Sequence, residues 1–202
     1  AHTHMDKQYD QAYFQRWYRD SGLDNPRQLA RKVALAVGTA EYYLQREVRS
    51  VLDIGCGEGA WRAPLRKLRP KASYLGFDPS AYAVARYGRT RNLHQASFGD
   101  FAWLRPGAPV DLLICSDVLH YVPSRELRAG LPGLAEMCAG VAWLETFTAS
   151  DDFEGDQDGF LPRDATWYRR NFRQVGFQPL GSHLWLGPQW QGQTAALEST
   201  VR

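Results

Sequence analysis

The chain has 202 residues, 44% of them apolar, and its 24 Lys and Arg nearly balance its 22 Asp and Glu for a net charge of +2. That length fits one domain with one core, and the balance excludes a protein built to wrap nucleic acid, which carries a marked basic excess. No apolar run reaches the roughly 20 residues of a membrane span, and no basic-then-apolar leader opens the chain, so a cytoplasmic protein is expected. Three scattered cysteines, Cys56, Cys115 and Cys138, form neither a disulfide framework nor a zinc set, and no metal is expected.

Residues 1–5 read as an expression scar, with His2 and His4 not counted as ligands. From Asp6 to Asp20 the residues Tyr9, Tyr13, Phe14, Trp17 and Tyr18 recur at helical spacing and predict a helix with one aromatic face. Such a face packs on a core by default. The polar atoms of Tyr9, Tyr13 and Trp17 want partners, however, which suits a lid over a site. Ser21-Gly22 ends this helix, and Asp24-Asn25-Pro26 starts another that carries Leu29, Val33, Val37, Ala40 and Leu44 on one side.

The period then changes. Strands are predicted at Ser50–Ile54, Ser73–Phe77, Leu93–Phe98, Val110–Cys115 and Val141–Phe147, with helices at Ala60–Leu68, Ser80–Tyr87, Ser124–Cys138 and Arg163–Val175. Pro132-Gly133 is expected to break or kink the third of these helices. The acidic stretch Thr148–Pro162 is a loop; Asp151, Asp152, Glu154, Asp156 and Asp158 lack the later bidentate Glu of a calcium loop. Arg169, Arg170 and Arg173 form an exposed helix face. Phe177–Leu186 and Thr194–Val201 are two last strand candidates with no helix between them, so the final strand should run antiparallel. Alternating strands and helices imply an α/β chain with a seven-stranded, mostly parallel sheet between helical layers.

In such sheets ligands bind beyond the carboxyl ends of the strands. The first end carries Gly55-Cys56-Gly57-Glu58-Gly59-Ala60, a turn in which bare backbone can approach a ligand and a helix start favours anionic groups. The second carries Asp78-Pro79, placed to accept ribose hydroxyls or to cap the next helix. The third carries Gly99-Asp100-Phe101, where Asp100 can face an adenine amine or cap its own turn. The fourth carries Ser116-Asp117 with His120 and Tyr121 beyond, and the fifth carries Glu145. His120 titrates where a general base is useful, or only satisfies a backbone carbonyl. Glu145 can bind an amine or take a proton, or is a solvated edge carboxylate. Gly55, Gly57 and Ala60 also satisfy a dinucleotide fingerprint, so the first two ends alone admit a nicotinamide oxidoreductase.

The larger set decides between them. Val51–Gly59 (VLDIGCGEG), Tyr74–Ser80 (YLGFDPS), Ser97–Phe101 (SFGDF) and Asp111–Val122 (DLLICSDVLHYV) resemble, in order, the four motifs of class I S-adenosylmethionine-dependent methyltransferases. The resemblance implies a Rossmann-like three-layer sandwich with an N-terminal helical cap over residues 6–48 and a methyltransferase domain over 49–202, one structural unit. It implies S-adenosyl-L-methionine as cofactor. Gly55, Cys56 and Gly57 would lie under its methionine part and Asp53 near its amino-acid end. Asp78 and Pro79 would lie at the ribose, Gly99, Asp100 and Phe101 at the adenine, and Ser116 and Asp117 near the methionyl amine and sulfonium. His120, Tyr121 and Glu145 become candidates for handling an acceptor proton, and Tyr9, Tyr13 and Trp17 for the lid.

The fourth motif lacks the NPPY-type tetrad of enzymes that methylate base or glutamine amines, and no Lys/Arg-rich extension suggests RNA. A small-molecule acceptor, with no nucleic-acid or membrane partner, and a monomer or weak homodimer are expected. A silent cofactor-binding scaffold is the other alternative.

Overall fold

The computed structural model describes residues 7–20 and 25–198. Its core is a seven-stranded sheet in the order β3-β2-β1-β4-β5-β7-β6. The strands are β1 (Ser50–Ile54), β2 (Ser73–Asp78), β3 (Leu93–Gln95), β4 (Val110–Ser116), β5 (Cys138–Glu145), β6 (Gln178–Gly181) and β7 (Leu184–Leu186). β1 pairs in parallel with both β2 and β4, so the strand order reverses there and opens a crevice at the carboxyl ends. β4 is buried along nearly its whole length, as a central parallel strand must be. The helices are α1 (Gln11–Phe14), α2 (Pro26–Leu44), α3 (Arg62–Leu68), α4 (Ala81–Arg91), α5 (Ser124–Met137) and α6 (Ala165–Gln174).

Two apolar clusters flank the sheet. On one face Val33, Ala36, Val37 and Ala40 of α2 and Leu65 of α3 pack on Val51, Leu112, Ile114, Val141 and Trp143. Burying Val33 and Val37 contributes ~1.5–3 kcal/mol each. α2 is therefore a full layer of the sandwich, started by Asn25, whose side chain accepts from the N–H groups of Arg27 and Gln28. On the other face Leu127, Leu131 and Leu134 of α5 and Tyr168 and Phe172 of α6 pack on Leu52, Leu113 and Leu144.

Several sequence expectations give way to packing. The first helix starts at Gln11, because Asp10 accepts the Tyr13 N–H as its cap, and it continues as a π-helical segment, Gln15–Asp20. Tyr9 thus precedes the helix. The expected start at Asp6, the break at Ser21-Gly22 and the scar at residues 1–5 lie outside the described residues. The third strand stops at Gln95, and Phe98–Ala102 is a 3-10 turn that buries Phe98 and Phe101. α5 runs through Pro132 without a break. A side chain at Gly130 would meet the Phe98 carbonyl at 2.4 Å, and one at Gly133 the Phe101 carbonyl at 2.0 Å, so bare backbone lets this helix close on the turn.

The single strand expected over Phe177–Leu186 is a hairpin, β6–β7. Its two-residue loop, Ser182-His183, has φ +50° and +67°, the twist that a tight hairpin needs. β7 runs antiparallel to β5, so the antiparallel member of the sheet comes from this hairpin. Thr194–Val201 forms no strand over its described part, to Glu198, which is turn.

Candidate active site

The crevice beyond β1 and β4 is a cavity of about 550 Å³, within the roughly 300–1,000 Å³ of small-molecule sites. Its floor is the turn after β1. Gly55 and Gly57 have φ +72° and +54°, which only glycine adopts without cost. The N–H groups of Gly55 and Cys56 both donate to the Phe77 carbonyl, at 2.7 and 3.0 Å, so the turn is sewn to β2. A Cβ on Gly55 would stand 2.3 Å from Val118 Cγ2; the loops after β1 and β4 touch there.

Asp78 closes the arrangement. Its Oδ2 accepts the Gly57 N–H and its Oδ1 the Ser80 N–H, both at 2.8 Å. The carboxylate is 7% exposed, and burial raises its pKa. These bonds leave acceptor positions open, since an ionised carboxylate has about four acceptor sites and the backbone takes two. Asp53, deeper in the floor, accepts from the Tyr74 hydroxyl at 2.7 Å. Burial, assisted by the Asp78 charge, pushes its carboxyl up to about 7. Cys56 lines the floor as a buried thiol whose pKa burial raises far above its usual value.

Pro79, Ser116, Asp117 and Tyr121 also line the cavity, and Gly99, Asp100 and Phe101 do not. Asp100 turns back to accept the Ser97 N–H at 2.8 Å, and Phe101 is fully buried edge-to-face on Phe77. Ala96, Ser97 and Phe98 face the cavity in their place. Asp117 is held at φ +61°, with its N–H donating to the Glu145 carbonyl at 2.8 Å. Burial and then the Glu145 charge push its carboxyl up to about 7.

The three candidate proton-handling residues separate. Tyr121 lines the cavity and donates its hydroxyl to the Asp156 carbonyl. His120 does not reach the lining and is fully buried. Its Nδ1 lies 3.0 Å from Thr146 Oγ1 and 3.3 Å from the Phe147 nitrogen. Nε2 makes no hydrogen bond and faces Asp117 Oδ1 at 3.4 Å. Burial, with Lys7 and Arg163 nearby, pushes His120 down to about 4, so the ring is neutral at physiological pH. Glu145 stands outside the lining, and its carboxylate accepts from Lys32 Nζ at 2.6 Å, Ser116 Oγ at 2.8 Å and Trp143 Nε1 at 3.0 Å. These partners outweigh burial and hold it below the usual carboxylate range.

The N-terminal segment roofs the cavity with Tyr9, Tyr13, Phe14 and Tyr18; Trp17 is not in the lining. Ser80 Oγ donates to the Tyr9 carbonyl, and Arg19 pairs with Glu58 at 2.7 Å, so the roof is tied to both floor turns. Lys7, Lys32 and Glu126 also reach the cavity. Nothing in the sequence reading singled them out. Phe14 and Tyr18 belong to the aromatic stretch already noted, which was their signal.

A family model described as a methyltransferase domain matches residues 15–186. The chain belongs to this methyltransferase family. The match runs from the roof to β7 and takes in every floor turn, so the dinucleotide reading of Gly55, Gly57 and Ala60 is set aside. Over 78 residues the chain is 35% identical to trans-aconitate 2-methyltransferase of Mycobacterium ulcerans (strain Agy99), a match covering 39% of this chain and 29% of that protein. The chain thus spans under a third of the length of this curated relative. Among solved structures, Streptomyces venezuelae DesVI superposes with a TM-score of 0.63 at 16% identity, covering 87% of this chain and 96% of that one. The sugar N-methyltransferase KedS8 from Streptoalloteichus sp. ATCC 53650 gives 0.62 at 17%, covering 79% and 87%. At such identities these likenesses establish the fold. No helix among the described residues is long and apolar enough to cross a membrane.

Proposed function

We propose that the protein is an S-adenosylmethionine-dependent methyltransferase acting on a small-molecule acceptor. The observation that carries this reading is the 2.8 Å bond from the Gly57 N–H to Asp78 Oδ2, which joins the glycine turn and the ribose-type carboxylate into one crevice. The donor set suits the cofactor. Asp78 keeps two free acceptor positions for a ribose diol, Asp53 and Asp117 are carboxyls for an ammonium, and Gly55 and Gly57 line the crevice with bare backbone. Ser97 and Phe98 would take the adenine end assigned in sequence to Asp100 and Phe101. The bound cofactor supplies a methyl group activated on a sulfonium centre.

The chain's own residues align the acceptor and exclude water. Tyr9, Tyr13 and Tyr18 roof the reaction space, and fixed alignment alone supplies ~7–11 kcal/mol of barrier reduction. Glu145 acts as a brace, holding Ser116 and Lys32 in place. His120 acts behind Asp117 as a positioning residue. Trans-aconitate, named for the curated relatives, suits this cavity poorly. The described lining has five carboxyl side chains, Asp53, Glu58, Asp78, Asp117 and Glu126, against Lys7 and Lys32, and no arginine.

The test is thermal unfolding with S-adenosylhomocysteine and with NAD. At a hundredfold excess over Kd the first should raise Tm by about 5–10 °C for a chain of this size, and the second should leave it unchanged. Stabilisation by NAD alone refutes the reading. Binding of the adenosyl ligand with no methyl transfer to any acceptor class would leave the scaffold alternative.

A further inference from the structure

The roof of the cavity holds an ammonium group of the protein itself. Lys7 Nζ stands 3.9 Å from the ring centroid of Tyr121, 5.3 Å from that of Tyr13 and 5.4 Å from that of Tyr9. It pairs with the Asp156 carboxylate and donates to the Asp158 carbonyl at 2.6 Å. All three rings line the cavity. Burial raises the pKa of all three phenols, Tyr9 to about 12, so they stay neutral and present π faces. Three aromatic faces with a carboxylate behind them are the chemistry that recognises an ammonium.

We propose that this tyrosine cage is the acceptor subsite and that it anchors an amine-bearing acceptor, whose ammonium replaces that of Lys7 among Tyr9, Tyr13 and Tyr121 while another, lone-pair-bearing atom of the acceptor takes the methyl group as the thioether leaves. The word acceptor rests on the methyltransferase reading; the ammonium site does not. Two observations favour this over a cage that merely clasps Lys7. All three rings line the cavity, where an incoming ligand can reach them. Of the lining carboxyls Glu58 is paired with Arg19, while Lys7 and Lys32 are paired with Asp156 and Glu145 outside the lining, so Asp78, Asp117 and Glu126 face the cavity without a Lys or Arg partner among the described residues. An incoming anion would meet Asp117 and Glu126; an incoming ammonium would meet carboxylates and ring faces. Lys7 occupies the site as a tethered stand-in that an external amine has to displace.

The experiment uses three isosteric probes on the full chain saturated with S-adenosylhomocysteine: n-butylammonium, 1-butanol and butanoate. Affinities are read by saturation-transfer NMR and tyrosine fluorescence. The wild type should bind n-butylammonium at least tenfold more tightly than either other probe. Lys7→Ala should tighten n-butylammonium binding several-fold by removing the internal competitor. Tyr121→Leu should weaken it at least tenfold, and Tyr121→Phe, which keeps the ring, should stay within about threefold. Equal binding of the three probes, preference for butanoate, or ammonium binding seen only after Lys7→Ala would each overturn the proposal. The last result would make the cage a clasp and nothing more. The nucleoside titration separates the two readings. A protein that binds the nucleoside but not the ammonium refutes the cage alone, and one that binds the ammonium but not the nucleoside refutes the methyltransferase reading.

Discussion

Replacing Asp78 with alanine tests the brace and the ligand site together. In the folded chain the carboxylate accepts the Gly57 and Ser80 N–H groups at 2.8 Å each. Hydrogen bonds to a charged group contribute ~1.5–3 kcal/mol each. The two bonds share one carboxylate, and its burial, which raises the pKa, offsets part of the gain. The expected loss of unliganded stability is therefore about 2–4 kcal/mol, a fall in Tm of ~5–15 °C for a chain of this length. The two remaining acceptor positions are those offered to a ribose diol. Their removal should weaken S-adenosylhomocysteine by a further ~1–3 kcal/mol, or about 5- to 150-fold. Asp78→Asn keeps one accepting oxygen and turns an amide NH₂ toward the other N–H, so it should fall between wild type and alanine on both scales. Urea denaturation of the free protein and calorimetry with the nucleoside measure the two quantities separately. A drop in stability with affinity unchanged within twofold would leave Asp78 as a brace only. A drop in affinity with unchanged stability would refute the two hydrogen bonds as a structural tie.

The carboxyl of Asp53, raised from 3.8 to about 7, binds its proton more tightly folded than unfolded. Its contribution to stability is fully present below about pH 4 and is lost as pH rises through about 7. Asp53→Asn, which still accepts from Tyr74, should therefore gain on the wild type by on the order of 4 kcal/mol between pH 4 and pH 8 in urea titrations; a constant difference across that window would reject the buried, protonated carboxyl. Two glycine changes should move in opposite directions. Gly55→Ala places a Cβ 2.3 Å from Val118 at φ +72° and should cost about 2–4 kcal/mol together with nucleoside binding. Gly38→Ala, inside α2 with nothing within 4 Å, should stabilise by about 0.5–1 kcal/mol. Like signs for the pair in denaturation curves would show that local space does not govern these positions.

The parts of this molecule that are legible in its sequence are those made by neighbours in the chain. β1 is legible because Val51, Leu52 and Ile54 form an apolar run that stops at a glycine turn. Asp78 is legible because its position follows from the end of β2. The hairpin β6–β7 escapes notice because its turn residues, Ser182 and His183, adopt positive φ without the Asn-Gly or Asp-Gly signal. Phe98 and Phe101 suggest a longer third strand by composition. Their burial is satisfied instead by a 3-10 turn that Asp100 caps and that two glycines of α5 allow to approach. Thr194–Val201 suggests a strand by its β-branched residues but pairs with no strand over its described part.

The same distinction divides the site. The proposed cofactor half is backbone geometry plus carboxylates at strand ends, all within a few residues of a motif. The tyrosine cage, the proposed acceptor half, is assembled from side chains far apart in sequence: Lys7 and Tyr9 before α1, Tyr121 after β4, and Asp156 in the loop before α6. No spacing rule links Lys7 to Asp156, and Glu145, conspicuous at the end of β5, is occupied by Lys32 from α2. A strand-end carboxylate can therefore be named from sequence, and whether it is free to act depends on long-range partners that only the fold supplies. For Asp78 those partners are two backbone N–H groups; for Glu145 they are a paired ammonium and two further donors. On the proposed reading acceptor chemistry is carried by the roof, and variation in its few side chains should redirect this scaffold to other acceptors without disturbing the glycine turn beneath.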